Sequence, residues 1–351
     1  MININLRNIE RWCCVAVLFV LLLNVAGYAG GEDRAGTSAA PELVIPIGAR
    51  YVGMGGSPVA IASGVEAIFW NPAGVDRAPR SANAMFSYRS HIADIALDYL
   101  AVSGKFDFGT VALSLRSLNI GDIPVTTESA PDGTGEIFSP TFFVMGLTYS
   151  RQLTDRISIG ATANIISETF AKVNSNGISF DAGVQYKGVI GIQNLDIGVA
   201  LKNIGPPMQY GGSGLWVSAD AVGAQRGSTY YKVEAASFEL PTVVEIGAAY
   251  QLYAQDVNML NVMGSFQNNN FAYDEYRIGA EYAYDQQLFL RAGYLLGAAS
   301  TSDQPDIYEK ISLGAGINFK DVGGTDISFD YAYVPVKIFD ANHVISLKIG
   351  F

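Results

Sequence analysis

Apolar and polar residues alternate with a period of two along most of the chain after Asn83. One segment shows the pattern clearly, because every second residue in it is apolar: Ile178, Phe180, Ala182, Val184 and Tyr186. The residues between them are polar or small. Alternation over about ten residues is typical of a β-strand with one apolar face and one polar face. The pattern therefore predicts a chain built mainly from strands.

About fourteen such segments follow one another. The predicted strands are 82–90, 94–106, 109–120, 140–150, 156–170, 176–187, 194–203, 240–251, 257–267, 274–284, 287–296, 308–319, 325–334 and 343–351. Connections after even-numbered strands are short, whereas odd-numbered strands tend to be followed by longer ones, including 121–139, 204–239 and 297–307. A soluble β-sandwich would also alternate. An even strand number with short turns at one end and long loops at the other favours a bacterial outer-membrane barrel.

Aromatic residues close the even-numbered strands, in phase with the apolar face: Tyr149, Tyr186, Tyr250, Tyr284, Phe319 and Phe351. Amphipathic rings at this period are expected in the aromatic girdle at a membrane interface. The phase of Phe106 is ambiguous, because Tyr99 and Ala101 alternate in the opposite sense.

The last strand ends in an aromatic residue, and its outward positions would be Ile345, Leu347, Ile349 and Phe351. This ending resembles the membrane-insertion signal of outer-membrane barrels. We therefore predict an all-β membrane protein, a single closed antiparallel barrel of about 14 strands with its C-terminus in the periplasm.

Residues 1–29 are predicted to be a secretory signal peptide. Arg7 and Arg11 precede an apolar run of about fourteen residues, shorter than the about twenty that a spanning helix needs, and Gly27-Tyr28-Ala29 forms a small-residue cleavage site. The chain's two cysteines, Cys13 and Cys14, both fall in this segment. The mature protein would therefore contain neither disulfides nor thiolates.

Residues 30–80 are predicted to be an N-terminal segment and hatch, followed by the barrel at 81–351. The part from Pro41 to Arg80 is too apolar for a linker and too short for a domain, so it must pack against something larger. A barrel of this size needs a plug. Ser57-Pro58 predicts a helix start, and Pro72 predicts the end of a helix formed by residues 66–70.

The inward positions of the predicted strands carry charges of both signs, at Arg116, Asp181, Lys202, Glu245, Arg277, Glu281, Arg291, Asp330 and Lys348. Buried charges are costly unless they are partnered, so we expect internal ion pairs. Small inward residues leave room for the hatch, at Gly160, Gly183, Gly198, Gly247, Gly279, Gly293 and Gly314.

Three short motifs stand before the first strand: Gly48-Ala49-Arg50, Gly53-Met54-Gly55-Gly56 and Asn71-Pro72-Ala73-Gly74. Together with the strands that follow, they resemble the PorV/PorQ family of outer-membrane proteins, relatives of the FadL fatty-acid channels. The resemblance implies a fourteen-stranded barrel with the Asn-Pro-Ala turn in a hatch inside it. It also implies a role in type IX protein secretion, with cargo bound or shuttled by the outer loops. The FadL branch instead implies a channel for hydrophobic small molecules such as long-chain fatty acids. A structural barrel with a sealed lumen is a third hypothesis.

The 36-residue connection 204–239 contains the candidate outer-loop binding residues Met208, Leu215, Trp216, Tyr230 and Tyr231. Loops of this length are usually functional, and such residues are common in interfaces. The alternative is a lid that merely covers the lumen. Expected partners are outer-membrane lipid and lipopolysaccharide, the barrel-assembly machinery, and either secreted cargo with a type IX translocon or hydrophobic small molecules.

Neither enzymatic chemistry nor nucleic-acid binding is predicted. The net charge is −11, and no cluster of Lys and Arg is present to bind phosphates. The two histidines, His91 and His343, fall at strand ends without a nucleophile motif. Asp303 and Asp306 match no calcium loop, and the glycines at 53–56 lack the Lys-Ser/Thr of a phosphate loop. We therefore predict no cofactor and no metal.

Overall fold

The computed structural model describes residues 31, 34–220, 228–255, 257–297 and 309–351. The predicted signal peptide, 1–29, lies outside the described residues. No helix among the described residues is long and apolar enough to cross a membrane. These residues instead form a closed barrel of fourteen antiparallel strands, as the alternation predicts.

The described strands are, in chain order, β1 (Ala82–Ser90), β2 (Ala96–Phe106), β3 (Gly109–Asn119), β4 (Ile123–Pro124), β5 (Ile137–Phe138), β6 (Thr141–Gln152), β7 (Ile157–Phe170), β8 (Val173–Lys187), β9 (Leu195–Ile204), β10 (Met208–Gln209), β11 (Trp216–Ala219), β12 (Thr229–Lys232), β13 (Ser237–Phe238), β14 (Val243–Gln255), β15 (Asn258–Asn269), β16 (Glu275–Tyr284), β17 (Leu288–Gly297), β18 (Ile311–Val322), β19 (Thr325–Val334) and β20 (Asn342–Gly350). The barrel comprises β1–β3, β6–β9 and β14–β20, and the other six strands form two-stranded sheets outside it.

Barrel strands pair with their neighbours in the chain, and β1 pairs with β20 to close the sheet. Their bounds agree with the predicted ones to within a few residues. The turns after β2, β6, β8, β14, β16 and β18 lie at one end, which we call the short-turn end, together with Phe351. The opposite, long-loop end carries the connections after β1, β3, β9, β15, β17 and β19. It also carries one tight connection, at residues 171–172 between β7 and β8.

The two faces of the barrel wall differ sharply in exposure. On β8 the outward Phe180 is 52% exposed, whereas the inward Ser179 and Gln185 are fully buried. Apolar side chains thus cover the outside, whereas the inside holds many polar side chains together with a buried apolar cluster shared with the N-terminal segment, as expected for a barrel whose outer surface meets lipid. Phe106 points outward, since it is 53% exposed, and Tyr99 is buried on the inner side of the same strand.

The N-terminal segment runs through the lumen. We call residues 34–44 the strap and residues 45–80 the hatch. Together they contain two short helices, Ala49–Val52 and Ala67–Trp70, and three 3₁₀ turns, Pro41–Val44, Gly64–Glu66 and Pro72–Arg77.

The helix that ends at Trp70 is the one predicted, because Asn71 is extended (φ −162°). The predicted helix start at Ser57-Pro58 is wrong. The Ser57 hydroxyl donates back to the Met54 carbonyl (3.0 Å), so it caps no following turn. The Ala62 amide donates to the Pro58 carbonyl (2.7 Å), and the segment after Pro58 is a tight turn rather than a helix.

The hatch backbone lies directly against the inward glycines of the wall. A methyl group added at Gly183 would lie 1.9 Å from Asn71 Oδ1, and one at Gly160 would lie 2.3 Å from the Pro72 carbonyl. The other predicted glycines contact residues 53–59 of the hatch in the same way: Gly198, Gly247, Gly279, Gly293 and Gly314. The room that these glycines leave is therefore filled by hatch atoms, which are backbone at most of the positions and the side chains of Asn71 and Val59 at Gly183 and Gly247.

Asn71 joins the hatch to two wall strands through its side-chain amide. Its Nδ2 donates to the Val59 carbonyl (2.8 Å) and lies within hydrogen-bond distance of the Val184 and Val199 carbonyls (3.2 and 3.3 Å). Its Oδ1 accepts from the Ala73 amide (3.2 Å). The side chain thus closes the turn of the Asn-Pro-Ala-Gly motif and fixes that turn to the wall.

Buried ion pairs also cross between hatch and wall. The hatch contributes Arg50, which pairs with Glu281 (2.9 Å), and Glu66, which pairs with Lys348 (2.6 Å). Arg291 and Asp330 connect these two pairs across the wall, each contact being 2.7 to 3.0 Å long. The result is one chain of alternating charges that runs through Arg50, Glu281, Arg291, Asp330, Lys348 and Glu66.

The remaining inward charges are held in different ways. Lys202 pairs with Glu245 (3.0 Å), and Arg277 pairs with Glu275 on the same strand. Asp181 instead accepts hydrogen bonds from the Asn203 amide (2.6 Å) and the Asn164 side chain (2.9 Å). Internal ion pairing therefore holds for most of the predicted residues, whereas Asp181 relies on neutral donors.

Replacing Gly183 by alanine should displace the hatch, because the new methyl group would overlap Asn71 Oδ1. We expect a loss of about 1–3 kcal/mol in the free energy of unfolding, the usual cost of overpacking. Gly104→Ala is the matched control, since a methyl group there meets only the Phe106 ring at 3.5 Å. Urea unfolding in detergent measures both. Equal stability of the two variants would contradict the close contact between hatch and wall.

Glu281→Gln should be severely destabilising, because it removes the carboxylate shared by Arg50 and the buried Arg291. Breaking a buried pair costs about 3–5 kcal/mol. The control is Glu239→Gln, whose carboxylate pairs with Arg34 at the surface and contributes about 0–1 kcal/mol. The difference between their unfolding midpoints in urea is the readout. A loss at Glu281 no larger than at Glu239 would show that the charge chain does not hold the hatch.

Candidate ligand pocket at the long-loop end

Above the hatch, at the long-loop end, the barrel encloses a cavity of about 350 Å³. Hatch residues Val52, Gly55 and Gly56 form its floor. The ends of several wall strands and the connection at 269–272 form its sides, and the strap contributes Ser38 and Val44. The cavity exists because the hatch fills the middle of the lumen but stops short of this end.

Much of the lining is apolar. It includes Ile45 and Val52 from the hatch, and Val243, Leu295 and Val334 from inward positions at the ends of β14, β17 and β19. Deeper inward positions on the same three strands are mostly charged or small, with Glu245, Arg291 and Asp330 among them, and Phe289 on β17 is the large apolar exception. The inner face of each of these strands therefore becomes aliphatic at the cavity, beyond the part of the strand that contacts the hatch.

Polar groups of the lining hold the floor and sides in place. Arg277 Nη1 donates to the Gly56 carbonyl (3.1 Å), and the Gly55 amide donates to Ser312 Oγ (3.0 Å). Arg89 Nη1 donates to the Pro46 carbonyl (3.0 Å). Burial, and then the charge of Arg89, lower the pKa of His91 to about 4. Near neutral pH the His91 ring therefore presents an uncharged surface to the cavity.

The strap crosses the long-loop end and is tied there by several contacts. Arg34 pairs with Glu239 (2.7 Å), and its guanidinium lies 4.1 Å from the centre of the Phe271 ring. The Ala39 amide donates to the Glu239 carbonyl (2.9 Å). The first residues of the described chain thus lie beside the cavity, and the chain descends from there through the lumen to Arg77 and Arg80 at the short-turn end.

The long connection between β9 and β14 is folded into two small sheets, β10 with β13 and β11 with β12. Three of the predicted binding residues are exposed on the outer hairpin: Trp216 (53%), Tyr230 (69%) and Tyr231 (44%). Leu215 is half-buried at the start of this hairpin. None of these residues lines the described cavity.

Met208 is buried, although the sequence predicts it to be a binding residue on the outer loop. Its side chain is 1% exposed, because it packs in a cluster with strap and wall residues: Ala39, Ala40, Leu43, Val144, Ile166 and Leu240. The Met208 side chain also fills the space beside Gly177 on β8. The residue therefore fixes the base of the long loop rather than presenting a surface to a partner.

A second, smaller chamber of about 30 Å³ lies deeper in the lumen. Its lining includes polar and charged residues from four wall strands: Ser114, Arg116, Asn164, Asp181 and Lys202. This volume is enough for a water molecule or two and suits no apolar ligand. The two cavities thus differ in chemistry as well as in size.

Of the two histidines, His91 lines the cavity and His343 does not. His91 Nδ1 lies 3.3 Å from Asn342 Nδ2, whereas His343 Nδ1 lies 2.7 Å from the Tyr331 hydroxyl. The described residues contain no group of three or more metal-binding side chains. Asp303 and Asp306 lie outside the described part of the chain. Of the four C-terminal insertion residues, Ile345, Leu347 and Phe351 are exposed on the outer face, and Ile349 is half-buried in phase with them.

No protein-family model matches the chain, and no curated protein matches it either. Solved structures do resemble it. The monoaromatic hydrocarbon channel CymD is 15% identical, with a TM-score of 0.55 over 87% of this chain and 97% of that chain. The Pseudomonas putida toluene transporter TodX is 13% identical, with a TM-score of 0.55 over 85% of this chain and 96% of that chain. At this identity the likeness shows the fold alone, a closed barrel of antiparallel strands.

Proposed function

We propose that this protein is an outer-membrane channel that binds hydrophobic small molecules in the cavity at the long-loop end. The observation that carries the proposal is the largely apolar surface of this cavity, to which the hatch contributes Val52 and the wall contributes inward Leu295 and Val334. A sealed structural barrel would have no need of inward Val243, Leu295 and Val334 at the ends of wall strands.

The physical basis is the transfer of apolar surface out of water. A ligand seated between the hatch and Leu295 would bury its apolar surface at about 25 cal/mol per Å². A volume of about 350 Å³ falls near the lower end of the range for small-molecule sites. Uncharged His91 and the hydrogen-bonded Arg89 and Arg277 would meet any polar end of the ligand.

The solved channels with this fold support the same class of ligand. By their descriptions, CymD is a monoaromatic hydrocarbon channel and TodX is a toluene transporter. A similar fold does not by itself fix a function. The fold and the apolar cavity together favour hydrophobic small molecules over the other hypotheses.

Passage beyond the cavity requires the hatch or the wall to move. The hatch contacts wall glycines and shares buried ion pairs with the wall, so the lumen below the cavity is packed. We infer that ligand entry at the long-loop end and release from the cavity are separate steps.

Type IX secretion is the second candidate, and the exposed aromatic hairpin β11–β12 is the feature that favours it. Trp216, Tyr230 and Tyr231 form an accessible surface of the kind found in protein interfaces. The motifs shared with PorV/PorQ add to this hypothesis, whereas the comparisons give it no support. Because the hairpin lies apart from the cavity, the two functions can be tested separately.

The proposed function places the chain in the outer membrane, among lipid and lipopolysaccharide, after insertion by the barrel-assembly machinery. The C-terminal strand, with its outward Leu347 and Phe351, would carry the insertion signal. The short-turn end, and with it the C-terminus, would face the periplasm.

Leu295→Asp should weaken binding of an apolar ligand at least tenfold, because it places a charge in the apolar lining. The fluorescent probe N-phenyl-1-naphthylamine, titrated into protein held in lipid nanodiscs, would report the dissociation constant. The matched control is the double variant Trp216→Ala, Tyr230→Ala, which alters the exposed hairpin and should leave probe binding unchanged.

Two outcomes would contradict the channel proposal. One is failure of the wild-type protein to bind the probe or any long-chain fatty acid. The other is an unaltered dissociation constant for Leu295→Asp in correctly folded protein. If the hairpin variant alone impaired retention of secreted cargo on cells, type IX secretion would become the preferred function.

A further inference from the structure

Two glutamates are buried where the strap meets the wall, and their carboxyl groups lie close enough to interact directly. Glu42 lies on the strap and is 0% exposed, and Glu168 lies on β7 and is 1% exposed. Both Glu42 carboxylate oxygens lack a hydrogen-bond partner among the described groups, and so does Glu168 Oε1. Two ionised carboxylates in such a site would repel each other without water to screen them.

Few other charged or titratable groups face this pair. Arg116 on β3 donates through Nη1 to the Glu42 backbone carbonyl (2.8 Å), so it approaches the strap but not the carboxylate oxygens. The Tyr210 hydroxyl, at the base of the long loop, donates to Glu168 Oε2 (2.7 Å). One positive charge, that of Arg116, therefore stands near two carboxyl groups. Electroneutrality requires one more cation or one proton.

A proton fits the site better than a metal ion. A calcium ion takes six to eight oxygen ligands and a magnesium ion demands octahedral geometry. The two carboxylates offer three unpartnered oxygens, and no third acidic or histidine side chain joins them in the described chain. A single proton between two carboxyl groups satisfies one oxygen of each and removes one negative charge.

The glutamate pair lies at the junction of three parts of the molecule. The strap residues on either side of Glu42, Ala40 and Leu43, pack with Met208 and Leu240 from the long loop and with Ile166 from β7. Ser38 and Val44, four and two residues away from Glu42, line the cavity. An interaction that holds Glu42 in place therefore also holds one side of the cavity in place.

We propose that Glu42 and Glu168 share one proton and act as a latch, which holds the strap beside the cavity and loosens as the pH rises. The effect of the latch on ligands rests on the proposed function, whereas the movement of the strap does not.

The direction of the pH effect follows from the environment of Glu42. Burial, and then the charge of Glu168, raise the pKa of Glu42 to about 8. In a strap released into water this pKa would return to about 4.5. The docked strap therefore holds its proton more tightly than the released strap. Docking is strongest below about pH 4.5 and weakens through the interval up to about pH 8, by as much as tenfold in the equilibrium per pH unit.

The test uses a nitroxide spin label on the strap. Cys13 and Cys14 both belong to the predicted signal peptide, so Ala35→Cys provides one label site in the processed chain. Ala35 is exposed, and a label there need not disturb packing. We expect the label to be immobile at pH 5 and clearly more mobile at pH 9 in nanodiscs. A label at Asp107→Cys, in a turn at the short-turn end, reports any general effect of pH and should not change.

The matched variant is Glu42→Gln in the Ala35→Cys background. The amide is neutral at every pH and nearly the same shape as the protonated acid, so the strap label should stay immobile from pH 5 to pH 9. Two results would overturn the latch. One is equal mobility of the label at pH 5 and pH 9 in the Ala35→Cys protein that retains Glu42. The other is a change with pH that persists in Glu42→Gln. Release of the strap at pH 5 by a chelator would also overturn it, in favour of a bound cation.

The latch and the proposed function can fail independently. Titration of N-phenyl-1-naphthylamine at pH 5 and pH 9 shows whether the strap affects the cavity. A label that loosens with pH in a protein that never binds the probe would support the latch and reject the channel. Probe binding by a protein whose strap stays immobile at both pH values would support the channel and reject the latch.

Discussion

A closed sheet in lipid must turn its apolar side chains outward, and this constraint decides how the rest of the molecule is built. The interior is then lined largely by polar and small residues, with fewer large apolar ones such as Met85 and Leu97, so the wall alone supplies only part of a hydrophobic core. Here the chain fills that interior with its own N-terminal segment. The hatch backbone lies on wall glycines such as Gly160 and Gly183, and a chain of charges from Arg50 to Glu66 joins the hatch to the wall. Apolar hatch side chains, Met54 and Trp70 among them, also pack in one buried cluster with inward wall residues such as Met85. The lumen therefore holds an apolar core beside these polar contacts.

Much of the architecture could be predicted from the sequence, because strand alternation is a local signal. The fourteen strands, the outward C-terminal face and the room left by inward glycines all follow from a period of two. The cavity could not be predicted, because it depends on where the hatch stops inside the barrel. A signal was nevertheless present, since Val243, Leu295 and Val334 place aliphatic side chains at inward positions at the same end of three strands. The burial of Met208 could not be predicted, because it is decided by tertiary contacts. The helix start at Ser57 is wrong because its hydroxyl donates backward to the Met54 carbonyl instead of capping a following turn.

The hatch in the middle of the barrel is held more firmly than the strap at the long-loop end. This difference suits the proposed channel. Buried ion pairs hold the hatch, while the strap depends on one carboxyl pair, a small apolar cluster and a surface ion pair. We therefore expect the strap to open more readily than the hatch, at the end where the proposed channel would admit a ligand. The exposed hairpin with Trp216 and Tyr230 stands apart from both and is free to serve a different partner.

The most direct test of this architecture is the accessibility of spin labels along β8, from residue 178 to residue 185, in lipid bilayers. Labels at the outward Ile178, Phe180 and Val184 should collide with oxygen dissolved in the lipid, while labels at the inward Ser179 and Gln185 should meet neither oxygen nor a water-soluble nickel complex. Inward labels that react freely with the nickel complex would show an open, water-filled lumen and contradict the account. Loss of the alternation would contradict the membrane barrel itself.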